Sequence, residues 1–314
     1  TVIETIWSYS YLQKNGIKNI SLPEIKGQAI VTISIRRNVW QPTVWEAGAV
    51  FVLLRNWLMP MKWLMVQHRL SDIMQMERLN GASGYSETGF AATAGKHYPA
   101  GVYNMYVGRE PRFYASINFN GQQWRGRQLE FWQGGKDGIN VSKVDYCCTG
   151  YLLRKTADEG VDVINGKGGM KEASILFRVG SLYLDYAEAL NEAEGPVDDV
   201  YKYVDAIRKR AGLPGLAKGL DKDKMRERIQ HERQIELAFE AGHRYFDCHR
   251  WKIAEKTDNG YMHGMNITAT NKVDYSKRST VGDSRVFEKK HYLFPIPQSE
   301  MDKRIGLVQS PYWE

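Results

Sequence analysis

The chain has 314 residues, of which 43% are hydrophobic and 25% charged, a composition that can fill a large core in one or two domains and excludes a disordered chain. Its formal net charge of +7 comes from 43 basic and 36 acidic residues without long basic runs, so we expect no nucleic-acid partner. Three cysteines, two of them adjacent, exclude a disulfide framework and a CxxC site for zinc or redox chemistry.

The beginning of the sequence carries no recognisable export or membrane segment. The stretch TVIETIWSYSYLQKNG lacks a basic n-region, an apolar core and a lipidation cysteine, so we expect any export signal to lie upstream. The most hydrophobic run, residues 51–70, is broken by Arg55, Pro60, Lys62 and His68, and we therefore predict no membrane span.

Residues 80–170 differ in amino-acid composition from the rest of the chain. They are rich in glycine, aromatic residues and short polar runs, for example NGASGYSETGF and NGQQWRGRQLEFWQGGKDG. This pattern predicts loops and short strands.

Residues 172–256 are predicted to be helical. In the first helix apolar residues recur at spacings of three and four, which places them on one face, with Glu188 and Glu192 on the other. Gly195 and Pro196 separate this helix from a second at about 197–211. The apolar positions are Leu176, Val179, Tyr183, Tyr186, Ala187, Leu190 and Ala193 in the first helix and Val200, Val204 and Ile207 in the second. The two helices form a pair of the size of a tetratricopeptide unit.

A third helix is predicted at about 221–241, with Asp221 as its N-cap. Glu232, Glu236 and Glu240 are spaced by four and so share one face, which is repulsive unless cations lie beside them. We favour a buried carboxylate and guanidinium network over a pair of catalytic carboxylates. The expected partners are Arg233, Arg244 and Arg250, and the aromatic residues expected in the core of this region are Tyr183, Tyr186, Tyr245 and Trp251.

The last zone, residues 257–314, is rich in loops and contains YLFPIPQSEM. Pro295 and Pro297 each fix φ near −65° and remove a backbone donor, so this segment continues neither a sheet nor a helix. The sequence predicts a rigid surface turn at this point.

Several motifs in the same order resemble the SusD/RagB family. They are RVGSLYLDYAEALNEA at 178–193, AIRKRAGLPG at 206–215, IQHERQIELAFEAGHRYFDCHRWKIA at 229–254, and YLFPIPQSEM at 292–301 followed by QSPYW. Upstream, MYVGREPRFYASINFNGQQW at 105–124 is similar to a stretch where the family has a D-P-R-F pattern, with Glu110 in place of the aspartate, and TGYLLRK at 149–155 also fits.

The resemblance implies a mainly α fold, a tetratricopeptide-like helix-pair scaffold with a loop-rich, short-strand ligand-binding region. It divides the chain into a ligand-binding region at 1–171, a scaffold at 172–256 and a tail at 257–314, in which the turn with Pro295 and Pro297 anchors the tail onto the helices. Family members are longer, and the part expected to be missing here is N-terminal and carries the lipid anchor and the first helix pairs.

The function implied by the resemblance is binding at the outer membrane. Family members are surface-exposed lipoproteins that bind glycans or peptides beside a TonB-dependent channel of the SusC type, and they are not enzymes. We expect oligosaccharide as the ligand, with peptide as the alternative and a glycoside hydrolase as a third and weaker reading.

A glycan site needs flat aromatic platforms with polar groups at their edges, because sugar rings have apolar faces. The glycine-rich loop NGQQWRGRQLEFWQGGKDG supplies both, although either of its tryptophans could instead pack into the core. The candidate ligand-binding residues are Trp124, Trp132, Gln123, Arg125, Tyr85 and Tyr98.

No cofactor or metal site is predicted from the histidines. His243 and His249 are six residues apart and the chain has neither an HxxxH nor an HExxH pattern. A structural calcium ion in a loop such as 134–140 is left open as an alternative.

Residues 29–79 match nothing in the family and combine many methionines and tryptophans with scattered charges and no clean period. In the adjacent reading frame, the codons from Phe51 onward can encode CPTQELVDAYEMANGTAPIIGYNADGT, which resembles the family's own sequence at this place. We therefore predict that about 29–79 are translated in the wrong frame and that the true frame resumes near NGASGYSETGF. Side-chain density for Trp57, Trp63 and Met65 would contradict this prediction.

Overall fold

The computed structural model describes residues 85–139, 146–161, 177–240, 242–303 and 305–313. The predicted frame error at 29–79 and Leu176 lie outside the described residues. Within them the helices are α1 (Pro111–Ser116), α2 (Val179–Glu194), α3 (Asp198–Arg210), α4 (Lys222–Glu236), α5 (His243–Arg250), α6 (Ala254–Thr257), α7 (Lys272–Tyr275) and α8 (Gln298–Met301). The strands are β1 (Ile117–Phe119), β2 (Gln123–Trp124), β3 (Arg127–Gln128), β4 (Tyr151–Leu153), β5 (Gly260–Met265) and β6 (Arg278–Arg285).

The described strands form three separate two-stranded antiparallel sheets, β1 with β4, β2 with β3 and β5 with β6. No described helix is both long and apolar enough to cross a bilayer. The predicted fold class, mainly helical with short strands, is confirmed.

An aromatic core fills the region around α1, β1 and β4. The Tyr106 and Phe119 rings lie with centroids 4.3 Å apart, and the Tyr106 hydroxyl donates to the Tyr151 hydroxyl at 3.1 Å. Ile235 and Ala238, at the end of α4, belong to the same buried cluster. The loop-rich region and the helical scaffold therefore share one core.

The helical scaffold is built from α2, α3 and α4, and α2 packs against both of the others. A buried apolar cluster joins the three helices, and its members are Ala187, Val200, Tyr201, Val204, Met225 and Ile229. Val200, Val204 and Ile207 are buried as the sequence predicted. Gly195 ends α2 with φ of 84°, a conformation that glycine adopts without strain.

The buried face of α2 is rotated from the predicted one. The residues that it buries are Ser181, Leu184, Ala187 and Asn191. Small and polar residues on this face let α3 and α4 both pack closely against α2. The Asn191 side chain, for example, donates to the Lys222 carbonyl at the start of α4 at 3.1 Å. Tyr183 is half-buried and packs against the buried cluster of Leu184, Ile207 and Leu237, so its predicted core contact is present. Tyr186 is 47% exposed, and its ring packs edge-on against Tyr203 instead of filling the core.

Two other expectations for the core aromatics are also wrong. Tyr245 is 45% exposed, because it lies on the outer side of α5. Trp251 is half-buried, and its indole nitrogen donates to Glu188 at 2.8 Å. Glu188 was predicted on the polar face of its helix and is held there by this bond and by an ion pair with Arg250.

Helix α4 begins as predicted, since the Asp221 carboxylate accepts from the Lys224 amide at 2.8 Å. It ends at Glu236, earlier than predicted, and the chain then turns through Phe239, whose φ is 63°. Glu240 therefore lies beyond the helix, and the simple spacing of four does not by itself place it beside Glu236.

The three glutamates are nevertheless gathered in one set of ion pairs, which we call the EPRF network because Glu110 and Arg112 of the EPRF motif belong to it. Its members are Glu110, Arg112, Lys155, Arg178, Arg208, Arg210, Glu232, Glu236 and Glu240. Arg112 is its centre, with one nitrogen 2.7 Å from Glu232 and 3.0 Å from Glu236 and another 2.8 Å from Glu110. Glu232 and Glu236 are almost completely buried, so their charges depend on these partners.

The arginines named from the sequence are not the partners of this row. Arg233 follows Glu232 directly and so points about 100° around the helix, where it binds both oxygens of Asp247 at 3.0 and 3.1 Å. Arg250 pairs with Asp247 and Glu188. Arg244 forms no ion pair with any residue that the structure describes.

The proline turn of the tail is fastened to the tail itself. The Ile296 amide donates to the Gln309 side chain at 2.7 Å, and the Ser310 hydroxyl donates to the Phe294 carbonyl at 2.8 Å. Pro295 and Pro297 are exposed. Contact with the scaffold is made before the turn, where the Tyr292 ring lies 5.7 Å from that of His249 on α5, which corrects the expectation that the prolines themselves clasp the helices.

Replacing Arg112 by alanine leaves three buried carboxylates, Glu110, Glu232 and Glu236, short of a partner. Removal of one partner from a buried pair costs about 3 to 5 kcal/mol, so we expect the free energy of unfolding in urea to fall by that amount. The matched control is R226A, which breaks the exposed pairs of Arg226 with Glu192 and Asp223 and should cost about 1 kcal/mol or less. Equal losses in the two variants would contradict a central role for Arg112.

The EPRF network also predicts a pH dependence of stability. Burial alone raises the pKa of Glu236, but Arg178, Arg210 and Arg112 outweigh it and hold the pKa below its ordinary value of 4.5. The pKa of Glu240 is lowered in the same way. A carboxylate with a depressed folded-state pKa stabilises the fold above its unfolded-state pKa, and this contribution is lost as the pH falls through the folded value.

We therefore expect the free energy of unfolding, measured by urea titration from pH 7 to pH 3, to decrease below about pH 4.5. Glu110 contributes a slope of the opposite sign, because burial raises its pKa. In E236Q the stability at pH 7 should be lower and the further loss on acidification smaller. An unchanged acid dependence in E236Q would show that other carboxylates govern it.

Candidate functional site

A cavity of about 870 Å³ opens to solvent on the loop-rich side of the molecule. Four segments form it: the turn at 95–99, α1, the β2–β3 hairpin and the loop at 154–159. Its volume lies in the range of small-molecule ligand sites. Its lining combines aromatic rings with amide and charged side chains.

One wall of the cavity is a stack of aromatic rings. His97 lies 5.3 Å from Tyr114 with an interplanar angle of 22°, and Tyr98 lies 6.2 Å from the same ring at 27°. Gly95 makes room for this arrangement, since a Cβ atom there would come within 2.5 Å of the Tyr98 ring. The turn is closed by the Gly95 amide, which donates to the Tyr98 carbonyl at 2.9 Å.

Tyr114 contributes its ring and not its hydroxyl to the site. The hydroxyl points inward, donates to the Tyr106 carbonyl at 2.6 Å and accepts from the Arg109 amide at 3.1 Å. Burial raises the pKa of Tyr114 to about 12, so the phenol stays neutral. Tyr114 is thus a fixed apolar wall.

A second part of the cavity wall is the β2–β3 hairpin, which contributes Gln123 and Trp124. Its two tip residues, Arg125 and Gly126, have φ of 49° and 76°, the pair of positive values that a two-residue hairpin turn requires. The Arg125 amide donates to the Glu159 carboxylate at 2.6 Å, and its Nε donates to the Glu159 carbonyl at 3.2 Å. The hairpin tip is therefore tied to the loop that carries Glu159.

Arg154 connects this wall to the floor of the cavity. Its guanidinium lies over the Trp124 ring, 5.2 Å from the centroid. With the side-chain amide of the buried Gln122 assigned in the orientation that satisfies both of its neighbours, Arg154 donates to the Gln122 amide oxygen at 2.5 Å and the amide nitrogen donates to the Ile117 carbonyl at 3.0 Å. Trp124 is half-buried and held between the hairpin and this cation.

The structure brings together three of the residues predicted as ligand-binding: Gln123, Trp124 and Tyr98 all line the cavity. Arg125 lies just outside the lining and positions Glu159. Sequence reasoning did not name His97, Tyr114, Arg154 or Glu159. Two of these residues lie within the family-like motifs, Tyr114 in EPRFY and Arg154 in GYLLR. Those motifs were the sequence signal that could have identified them.

Trp132 and Tyr85 lie elsewhere. Trp132 packs against the aromatic core that contains its neighbour Phe131. This is the alternative left open for the tryptophans of this loop in the sequence analysis. Tyr85 also packs against that core, beneath the guanidinium of Arg109 at 5.0 Å from the ring centroid. Neither lines the cavity, because the chain directs both rings toward buried aromatic neighbours.

The loop at 134–140, considered for calcium, uses its acidic residue in another way. Asp137 binds Arg127 through both oxygens at 2.6 Å and accepts from the Glu130 amide at 3.0 Å. Within the described part of the chain, no group of three or more metal-ligating side chains comes together. The carboxylate is thus engaged in holding the loop.

Comparison with known proteins identifies the family to which the chain belongs. The model of the SusD family matches residues 6–313, and the chain therefore belongs to the SusD family. The match extends to both sides of residues 29–79, whose reading frame stays a prediction.

Three relatives illustrate the membership. The SusD-like protein P25 of Formosa agariphila is 42% identical over 82 residues, which is 25% of this chain and 15% of P25. The solved structure of BT4246 in selenomethionine form superposes with a TM-score of 0.63 at 26% identity, over 76% of this chain and 42% of that one. The Bacteroides fragilis protein BF0978, described as a SusD-like carbohydrate binding protein, has a TM-score of 0.52 at 24% identity over 63% of this chain and 41% of that one, and so supports the fold. The chain spans less than half the length of each.

Proposed function

We propose that the cavity binds an oligosaccharide at the bacterial cell surface and that the protein delivers it to a TonB-dependent outer-membrane channel of the SusC type. An N-terminal lipid anchor would hold the protein at the outer membrane. The observation that carries the proposal is that aromatic rings from separate segments line one cavity. Trp124 comes from the hairpin, Tyr98 from the turn at 95–99 and Tyr114 from α1.

This arrangement suits a sugar chain for a physical reason. The faces of pyranose rings are apolar and pack against flat aromatic rings, while their hydroxyls need donors and acceptors at the edges. Gln123 and Glu159 supply such groups at the rim. Membership of a family that includes proteins described as carbohydrate-binding supports the same ligand class.

Replacing Trp124 or Tyr98 by alanine removes an aromatic surface from the cavity. We expect each variant to lose about 1 to 3 kcal/mol of glycan affinity, roughly 5- to 150-fold in Kd, because aromatic anchors dominate binding in such sites. Isothermal titration against a polysaccharide panel gives the measurement.

The matched control is F294A, which removes a ring that is 82% exposed on the tail, away from the cavity lining. F294A should bind as the parent protein does. W132A is a second control, and it should lower stability without a specific loss of glycan binding. Unchanged affinity in both W124A and Y98A would overturn the site.

Peptide is the competing ligand within the same family, and the same titration includes a panel of peptides. We expect binding of glycans and no binding of peptides at the same concentrations. If a peptide bound more tightly than every glycan and W124A abolished that binding, the ligand of this cavity would be a peptide and the glycan proposal would be wrong.

We also propose that the protein does not hydrolyse its ligand. The row of Glu232, Glu236 and Glu240 lies in the EPRF network and is not part of the cavity lining. Glu159 is the single carboxylate among the described lining residues, whereas most glycosidases place two carboxyl groups across the scissile bond. A reducing-sugar assay on any polysaccharide that binds should show no release, and release abolished by E159Q would contradict this.

A further inference from the structure

The cations of the cavity are less fully neutralised than those of the scaffold. Lys96 and Arg154 both line it, against Glu159 as the only described lining carboxylate. In the scaffold, by contrast, the half-buried Arg178 has carboxylate oxygens of Glu236 and Glu240 at 2.6 and 2.7 Å. The cavity therefore has an excess of positive charge.

The carboxylate of Glu159 offsets only one of these two positive charges. One of its oxygens already accepts from the Arg125 amide at 2.6 Å. The other lies 3.9 Å from a nitrogen of Arg154, which makes an ion pair but leaves the guanidinium N–H groups without a hydrogen bond to it. Lys96 is exposed and forms no ion pair with a residue that the structure describes.

Arg154 keeps donors that its described neighbours do not use. A guanidinium has five N–H groups in a planar fork, and within the described residues that of Arg154 has one hydrogen-bond partner, the amide oxygen of Gln122. Carboxylate and sulfate oxygens are the acceptors that such a fork binds best. Since the guanidinium also lies over Trp124, a ligand in the cavity meets an aromatic ring and a cation side by side.

We propose that the cavity selects anionic glycans, whose uronate carboxylates or sulfate esters bind Arg154 and Lys96 while their sugar rings pack against Trp124 and Tyr98. This inference rests on the proposed glycan-binding function and specifies its substrate class.

The test compares glycans that differ only in charge. Polygalacturonate, alginate and chondroitin sulfate are titrated beside their carboxyl-reduced or desulfated counterparts, which keep the same linkages. We expect at least one acidic member to bind tenfold or more tightly than its neutral counterpart at low salt. This preference should shrink as NaCl is raised, because the exposed charges are screened.

Substitutions of the two cavity cations test whether the preference for acidic glycans arises in the cavity. R154Q and K96Q should each weaken binding of the acidic glycan at least threefold more than they weaken binding of its neutral counterpart. R154K keeps the charge and should recover part of the loss in R154Q. K136Q is the control, because it changes the net charge equally at an exposed lysine outside the cavity lining, and it should bind as the parent protein does.

The outcomes separate this proposal from the broader one. Equal binding of acidic and neutral members, with W124A weakening both, would overturn the charge selection and keep the glycan site. An equal loss for both members in R154Q would also overturn it, because Arg154 would then act only through Trp124. Binding of polyglutamate as tight as that of the acidic glycans would show recognition of charge without sugar and overturn the substrate class. Binding of no glycan at all would overturn both proposals.

Discussion

The burial of two glutamates on one helix is the constraint on which the rest of the structure depends. Glu232 and Glu236 face the interior, and an ionised carboxylate there is unfavourable unless guanidinium groups surround it. The chain supplies them from distant positions, and Arg112 is 120 residues away from Glu232 in sequence. Satisfying the two carboxylates therefore draws the loop-rich region onto the scaffold.

The same anchors position the cavity. Helix α1 carries Arg112 into the EPRF network and, two residues later, presents the Tyr114 ring to the cavity. The segment after β4 does the same with adjacent residues, since Lys155 bonds Glu240 at 2.5 Å and Arg154 faces the cavity. Two walls of the site are thus built on segments that are fixed by charge at the scaffold. Rigid positioning of this kind reduces the entropy lost when a ligand binds.

Parts of this arrangement followed from sequence. The N-cap at Asp221 and the inward residues of α3 came from local patterns, and family-like motifs predicted the fold class. The buried face of α2 could not be predicted from the sequence. Close packing against α3 and α4 favours small residues on that face, whereas an amphipathic pattern assigns the larger tyrosines to it. The arginine partners of the glutamate row did not follow either, because sequence proximity says nothing about which side chains meet across 120 residues.

For the site, the sequence by itself determined that aromatic and amide groups would come together in a glycine-rich loop, and Trp124 with Gln123 is the part that lines the cavity. Only the tertiary structure decided that Trp132 would face the core and that His97, Tyr114, Arg154 and Glu159 would complete the walls. The physical reason is that composition fixes which groups are able to contact a ligand, whereas long-range packing and charge pairing fix which of them share one concave surface.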